Sequence, residues 1–103
     1  MIRVSVLYPN SEGATFDMSY YQNQHMTLVR EKLGDKLARI EIDKPVGGMM
    51  PGQAPAHIGA GYLFFKDMAD LQTGMGGAGS ALADDIPNFT NTQPTIVISE
   101  MVD

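Results

Sequence analysis

The sequence contains no cysteine, only 2 histidines, and 7 lysines and arginines against 12 aspartates and glutamates. With no thiol there can be no disulfide, no cysteine nucleophile and no thiolate metal site. At a formal net charge of −5 the chain lacks the positive footprint that nucleic acid and anionic membrane surfaces require. The expected partners are therefore small molecules or other proteins. Long hydrophobic runs are also missing: the longest apolar stretch, around residues 59–65, is far short of the roughly 18 residues of a membrane helix. The start, Met1-Ile2-Arg3-Val4-Ser5-Val6-Leu7-Tyr8-Pro9, alternates and then turns, unlike the continuous apolar core of a secretory signal. These absences lead to the expectation of a soluble, cytoplasmic protein.

Metal and cofactor signatures are equally thin. Neither histidine is spaced from another ligand as in H-x-H or H-E-x-x-H, so no metal is expected. Gly74-Met75-Gly76-Gly77-Ala78-Gly79 spells G-x-G-x-x-G, but it follows a predicted helix rather than a strand, and the chain is too short for a dinucleotide fold. There is no nucleophile elbow and no triad order. No cofactor is expected.

What is present suffices for one domain spanning residues 1–103. Hydrophobic residues make up 44% and charged residues 18%, a balance that lets burial offset conformational entropy without covalent staples. Ile2, Val4, Val6 and Tyr8 fall on one side of a period-two pattern ended by Pro9-Asn10-Ser11-Glu12-Gly13, which predicts a first strand. Asp17 is placed to cap a helix over residues 18–33, with Arg30 and Lys32 near its end and Gly34 as its stop. Residues 37–43 alternate again as a second strand whose polar positions suit a sheet edge. Residues 46–55, with Gly47, Gly48, Pro51, Gly52 and Pro55, can hold no regular element and predict a mobile loop, a lid or a dimer contact, with Met49 and Met50 as an apolar tip. A third strand over residues 56–65 leads to Asp67, the cap of a short helix over residues 68–73. The glycines of residues 74–80 predict an interruption before a resumed turn over residues 81–86, which Pro87 ends. A fourth strand follows over residues 94–102.

The order βαββαβ predicts an α+β, ferredoxin-like protomer, a four-stranded antiparallel sheet with both helices on one face. Yet the third strand is apolar on both faces, with Ile58, Tyr62 and Phe64 opposite Leu63 and Phe65. The fourth sets Ile96 and Ile98 opposite Val97 and Met101. Such strands need cover on the second face, and a second copy packing sheet to sheet in a two-fold homodimer supplies it. Eight strands from two chains would form a dimeric α+β barrel.

On the wheel of the first helix Met18, Tyr21, His25, Leu28, Val29 and Leu33 share the apolar face. His25 at its middle has two readings. It is either a core histidine donating to a backbone carbonyl, or part of a cavity wall, where an imidazole serves near neutral pH as general acid, base or anion binder. Tyr21, one turn earlier, is placed to hydrogen-bond the same ligand. From the third strand His57, Gly59, Gly61, Leu63 and Phe65 point one way. Glycine within a strand marks close approach by another group, here a large helix side chain or a ligand. Two histidines and nearby tyrosines over this floor predict a small, mostly apolar pocket with few polar anchors. Period alone leaves open whether His57 faces the helices or a partner sheet.

Two stretches resemble the signatures of a known family. Phe16-Asp17-Met18-Ser19-Tyr20-Tyr21-Gln22-Asn23-Gln24-His25-Met26-Thr27-Leu28-Val29 resembles F-D-x-x-Y-Y-x-x-x-H-M-P-L-V of the EthD family, named for ethyl tert-butyl ether degradation. Asp84-Asp85-Ile86-Pro87-Asn88-Phe89-Thr90-Asn91 resembles its second signature, A-D-I-P-N-F-T before the last strand. The likeness spans essentially the whole chain and implies a dimeric α+β barrel of ferredoxin-like protomers. The family's namesake is associated with an ether-degrading cytochrome P-450 system. Relatives in the wider group include methylmuconolactone methylisomerase and fungal polyketide-tailoring enzymes. In those relatives the first-helix histidine lies near the ligand, which carries over here to His25. Thr27 stands where the signature has proline, a departure expected to leave the helix more regular.

The expectation is therefore a homodimer binding a compact, partly apolar metabolite, neutral or anionic, in each protomer. His25 would be the acid or base of an isomerisation, decarboxylation or oxidoreductase-associated step in a catabolic or tailoring pathway. The alternative is a non-catalytic ligand-binding or accessory protein that supports an oxygenase partner. Haem-linked chemistry, by analogy with other dimeric barrels, rests on fold alone.

Overall fold

The alternating N-terminal segment forms strand β1 (Ile2–Pro9) in a computed structural model that describes residues 1–102. Strand β2 (Arg39–Asp43), β3 (His57–Phe65) and β4 (Thr95–Glu100) complete a four-stranded antiparallel sheet of order β2-β3-β1-β4. A helix over residues 18–33, α1, connects β1 to β2, and α2 (Met68–Asp85) connects β3 to β4. The result is the ferredoxin-like order anticipated from the sequence. No helix among the described residues is long and apolar enough to cross a membrane.

Register decides which side chains meet the helices. Ile2, Val4, Val6 and Tyr8 pair with Phe65, Leu63, Gly61 and Gly59, so all eight share one face. Met26, Val29 and Leu33 from α1 and Leu71, Ala78 and Leu82 from α2 close over it as the core. Burying side chains of the larger kinds contributes roughly 1.5–3 kcal/mol each.

Asp17 caps α1 as expected, its Oδ1 accepting from the Tyr20 N–H at 3.0 Å, and Gly34 ends it at φ +56°, a conformation that suits a residue without Cβ. The middle of α1 departs from the regular helix expected. Tyr21–His25 forms a π turn in which the Met26 N–H reaches back to the Tyr21 carbonyl. An α-helix sets adjacent residues about 100° apart, whereas the wider turn buries Tyr21, His25 and Met26 together. The lack of proline at Thr27 does not restore regularity: its hydroxyl donates to the Asn23 carbonyl at 2.6 Å.

The glycine-rich segment is also not the interruption that composition suggested, since α2 runs unbroken for 18 residues. Asp67 Oδ1 caps it, accepting from the Asp70 N–H at 2.9 Å. A Cβ on buried Gly74 would sit 3.0 Å from Leu33 Cδ2, so the two helices approach closely there. Packing through Gly74, Ala78 and Leu82 offsets the roughly 1 kcal/mol by which each helical glycine trails alanine.

Cover on the second sheet face differs between strands. Phe64 is only 2% exposed in the single chain, with the Arg39 guanidinium 4.1 Å above its ring, so β3 already has local cover. Edge strand β4 does not: Val97 on this face is 43% exposed, and Ile96 and Ile98, which pair with Val6 and Val4 on the helix side, are 53% and 55% exposed as well. Residues 46–55 form no helix or strand. Their turn is held by the Gln53 N–H to the Met50 carbonyl at 3.1 Å, and Met49 at its tip is 97% exposed.

Candidate functional site

The π turn of α1 faces the C-terminal end of α2, and there His25 Nδ1 lies 2.8 Å from Asp85 Oδ2. The other carboxylate oxygen, Oδ1, accepts from the Tyr20 hydroxyl at 2.7 Å and from Asn88 Nδ2 at 2.9 Å. Both partners of the pair are largely buried, the His25 side chain at 7% exposure and that of Asp85 at 13%. Burial pushes the Asp85 carboxyl up, but hydrogen bonds from Asn88, His25 and Tyr20 outweigh it and hold the group below the usual aspartate range. The bond to Asp85 in turn raises the Tyr20 phenol.

Because an ionised carboxylate only accepts, the proton between the two residues belongs to His25 Nδ1. In the neutral imidazole Nε2 is then a bare acceptor. None of the hydrogen bonds among the described residues engages Nε2. An aspartate at the end of a helix, with no basic residue in the last turn, faces the negative end of the helix dipole. Helix stability alone disfavours that placement.

Around the pair the aromatic side chains fix ring orientation. Tyr21 stacks on the imidazole with centroids 5.4 Å apart and planes within 13°, and Phe89 packs against it at 4.7 Å. The segments carrying these residues are tied directly: the Asp17 N–H donates to the Phe89 carbonyl at 2.7 Å, and Phe16 bridges Thr90. The two motif stretches therefore meet in space as one structure.

Between helices and sheet lies a cavity of about 180 Å³. Val4, Val6, Gly61 and Leu63 of the sheet, Met26 and Val29 of α1, and Met75 and Leu82 of α2 make most of its wall, with Pro94 and Ile96 toward the β4 edge. Its polar side chains are His25, Tyr8 and Tyr21, and no lysine or arginine contributes. Burial pushes both phenols up, so they stay protonated as hydrogen-bond donors.

Of the residues singled out from the sequence, His25, Tyr21 and Gly61 line this cavity, whereas His57 and Gly59 do not. His57 stands at the start of β3 opposite Pro9. The space over Gly59 is taken by the Phe16 ring, whose Cζ would lie 2.5 Å from a Cβ there, and the Tyr21 hydroxyl covers Gly61. The glycine floor is thus filled largely by aromatic side chains. Among the described residues His25 makes no bond to a backbone carbonyl. Its partner Asp85, with Tyr20 and Asn88 behind it, was not singled out, although all three lie inside the two motif stretches.

Fold and site define a ferredoxin-like α+β protein in which a histidine paired with an aspartate stands at the wall of an apolar cavity. The sequence matches the EthD domain over residues 12–93, and the chain belongs to the EthD family. An EthD-like protein from Ralstonia eutropha JMP134 is 33% identical and superposes at a TM-score of 0.93, over 99% of this chain and 92% of that one. An ethyl tert-butyl ether degradation (EthD) family protein from Bacillus halodurans C-125 is 23% identical at a TM-score of 0.76, over 99% of each chain. A dimeric protein of unknown function and ferredoxin-like fold from Bacteroides fragilis NCTC 9343 shares the fold at 15% identity and a TM-score of 0.53, over 97% of this chain and 95% of that one. No curated protein matches the sequence.

Proposed function

We propose that each protomer binds one compact, largely apolar metabolite in the cavity under α1 and α2, and that His25 acts on it as acid or base. The observation that carries this reading is His25 at the cavity wall, paired with Asp85 and with no hydrogen bond to its Nε2 among the described residues. A cavity of about 150 Å³ holds a benzene ring, so this one accommodates a single ring with small substituents. The chemistry within reach of one imidazole beside two phenols is proton transfer, as in an isomerisation, a decarboxylation or a step coupled to an oxidoreductase. A degradation role accords with the name of the Bacillus relative. An accessory protein that only presents a ligand to an oxygenase would need the cavity but not a carboxylate behind the imidazole.

The working form in this reading is a homodimer joined through the open sheet face and β4. Exposed Val97 on that face supports it, with Ile96 and Ile98 exposed on the other side of the same edge strand. The dimeric Bacteroides neighbour offers a precedent for the assembly.

Methionine methyl NMR tests the binding half. Met26 and Met75 line the cavity, whereas Met49 and Met50 stand exposed on the loop. Titration with p-cresol is expected to shift the first two methyls and leave the loop pair unmoved; shifts confined to the loop methyls contradict the cavity reading. For the catalytic half, one-ring metabolites that copurify with the protein are incubated with wild type and with His25→Gln. Turnover lower by about 10²-fold or more in the variant supports His25 as acid or base. Equal turnover in both contradicts it, and binding without turnover in either favours the accessory role.

A further inference from the structure

The structure assigns Asp85 as the positioning residue that makes His25 a hydrogen-bond acceptor toward the cavity, so that the site selects an uncharged molecule donating a hydrogen bond, such as a phenol or an enol, over a carboxylate. This deepens the proposed binding role and rests on it for the ligand's location.

Both oxygens of Asp85 are engaged by donors: His25 Nδ1 on Oδ2, and the Tyr20 hydroxyl and Asn88 Nδ2 on Oδ1. That arrangement fixes the rotation of the carboxylate and, through it, the imidazole and its proton. Among the described residues its salt-bridge partner is His25 alone, with no lysine or arginine on it. The negative charge thus lies directly behind the imidazole. A second carboxylate in the cavity would meet that charge beyond the imidazole, in a space lined mostly by apolar side chains and by no lysine or arginine. A neutral donor meets a bare Nε2 that otherwise has no partner, while its ring fills the apolar volume. The sequence left neutral and anionic ligands open; the wall of the cavity favours the neutral ones.

The test uses the full chain. Long-range 1H–15N correlation above the ordinary histidine range of about 6.5 reads the tautomer of His25 without any ligand. Wild type is expected to show the proton on Nδ1. In Asp85→Asn the side-chain amide can donate to Nδ1, and the proton should move to Nε2. A wild-type proton on Nε2, or a tautomer unchanged in Asp85→Asn, overturns the assignment of Asp85.

Ligand class is read on the Met26 and Met75 methyls with p-cresol, which donates, 4-methylanisole, which only accepts, and 4-methylbenzoate, which is charged. Wild type should prefer p-cresol to 4-methylanisole by about 10-fold, the worth of one hydrogen bond, and should bind 4-methylbenzoate least. In Asp85→Asn the preference for p-cresol should shrink or reverse. Tightest binding of 4-methylbenzoate to wild type overturns the ligand class, and this arm stands even if Asp85→Asn fails to fold. An Nδ1–H tautomer with no methyl shift from any probe contradicts the cavity-binding reading and the ligand class with it, while leaving the role of Asp85 intact.

Discussion

His25 Nδ1 and Asp85 Oδ2 lie 2.8 Å apart although 60 residues separate them in sequence. The contact joins the π turn of α1 to the last residue of α2, so the geometry of the site depends on how the two helices pack. That packing is close at Gly74, which lets α2 approach Leu33, and it leaves the cavity between the helices and the sheet.

Acid should weaken the contribution of Asp85 to stability. Its carboxyl is held below the ordinary aspartate range in the folded chain, so it stabilises the fold fully above about pH 3.9 and loses that effect as pH falls through the lower folded value. Urea unfolding of wild type and Asp85→Asn should therefore show a stability gap near neutral pH that narrows toward about pH 3. A gap that widens on acidification would contradict the depressed ionisation.

Two glycine-to-alanine changes should act in opposite directions. A Cβ on Gly61 would collide with the Tyr21 hydroxyl and press on Met26 Cε at 3.3 Å, both in a packed wall. Gly61→Ala is expected to lose about 1–3 kcal/mol, the usual range for overpacking. At Gly77, on the exposed side of α2, nothing lies within 4 Å of the place an alanine methyl would take, so Gly77→Ala should gain about 0.5–1 kcal/mol from helix propensity. Denaturant midpoints decide both; equal and small effects would mean that neither the close approach at Gly61 nor the free helix surface at Gly77 is as described.

Val97 lies on the sheet face away from the helices, at an edge that one chain leaves uncovered. Light scattering at micromolar concentration is expected to give a dimer mass for wild type. Val97→Glu should give a monomer with unchanged far-ultraviolet circular dichroism, because a charge at the joint must be desolvated without a partner. A wild-type monomer contradicts the dimer.

The strands, the capping aspartates and the element order were legible because each depends on neighbours within a few residues: alternation in Ile2, Val4, Val6 and Tyr8, and the reach of Asp17 and Asp67 to an N–H three residues on. The glycines of α2 misled because their cost is local whereas the compensation, close packing at Gly74, is tertiary. The π turn could not be read because it depends on which carbonyl the Met26 N–H selects, not on a pattern of polarity. Half of the site followed from one helix face, which carries Tyr21 and His25. Asp85 escaped because spacing rules find partners on the same element, and this one arrives from the far end of another helix. Over Gly59 the occupant is Phe16, which precedes α1 and therefore lies outside any helical wheel.

The most direct test of the central claim is a crystal structure of the full chain soaked with p-cresol. The expected result is one ring between Val4, Met26 and Leu82, with its hydroxyl oxygen about 3 Å from His25 Nε2. A cavity without ligand, or a ring whose hydroxyl points away from Nε2 while a protein group occupies that nitrogen, would contradict it.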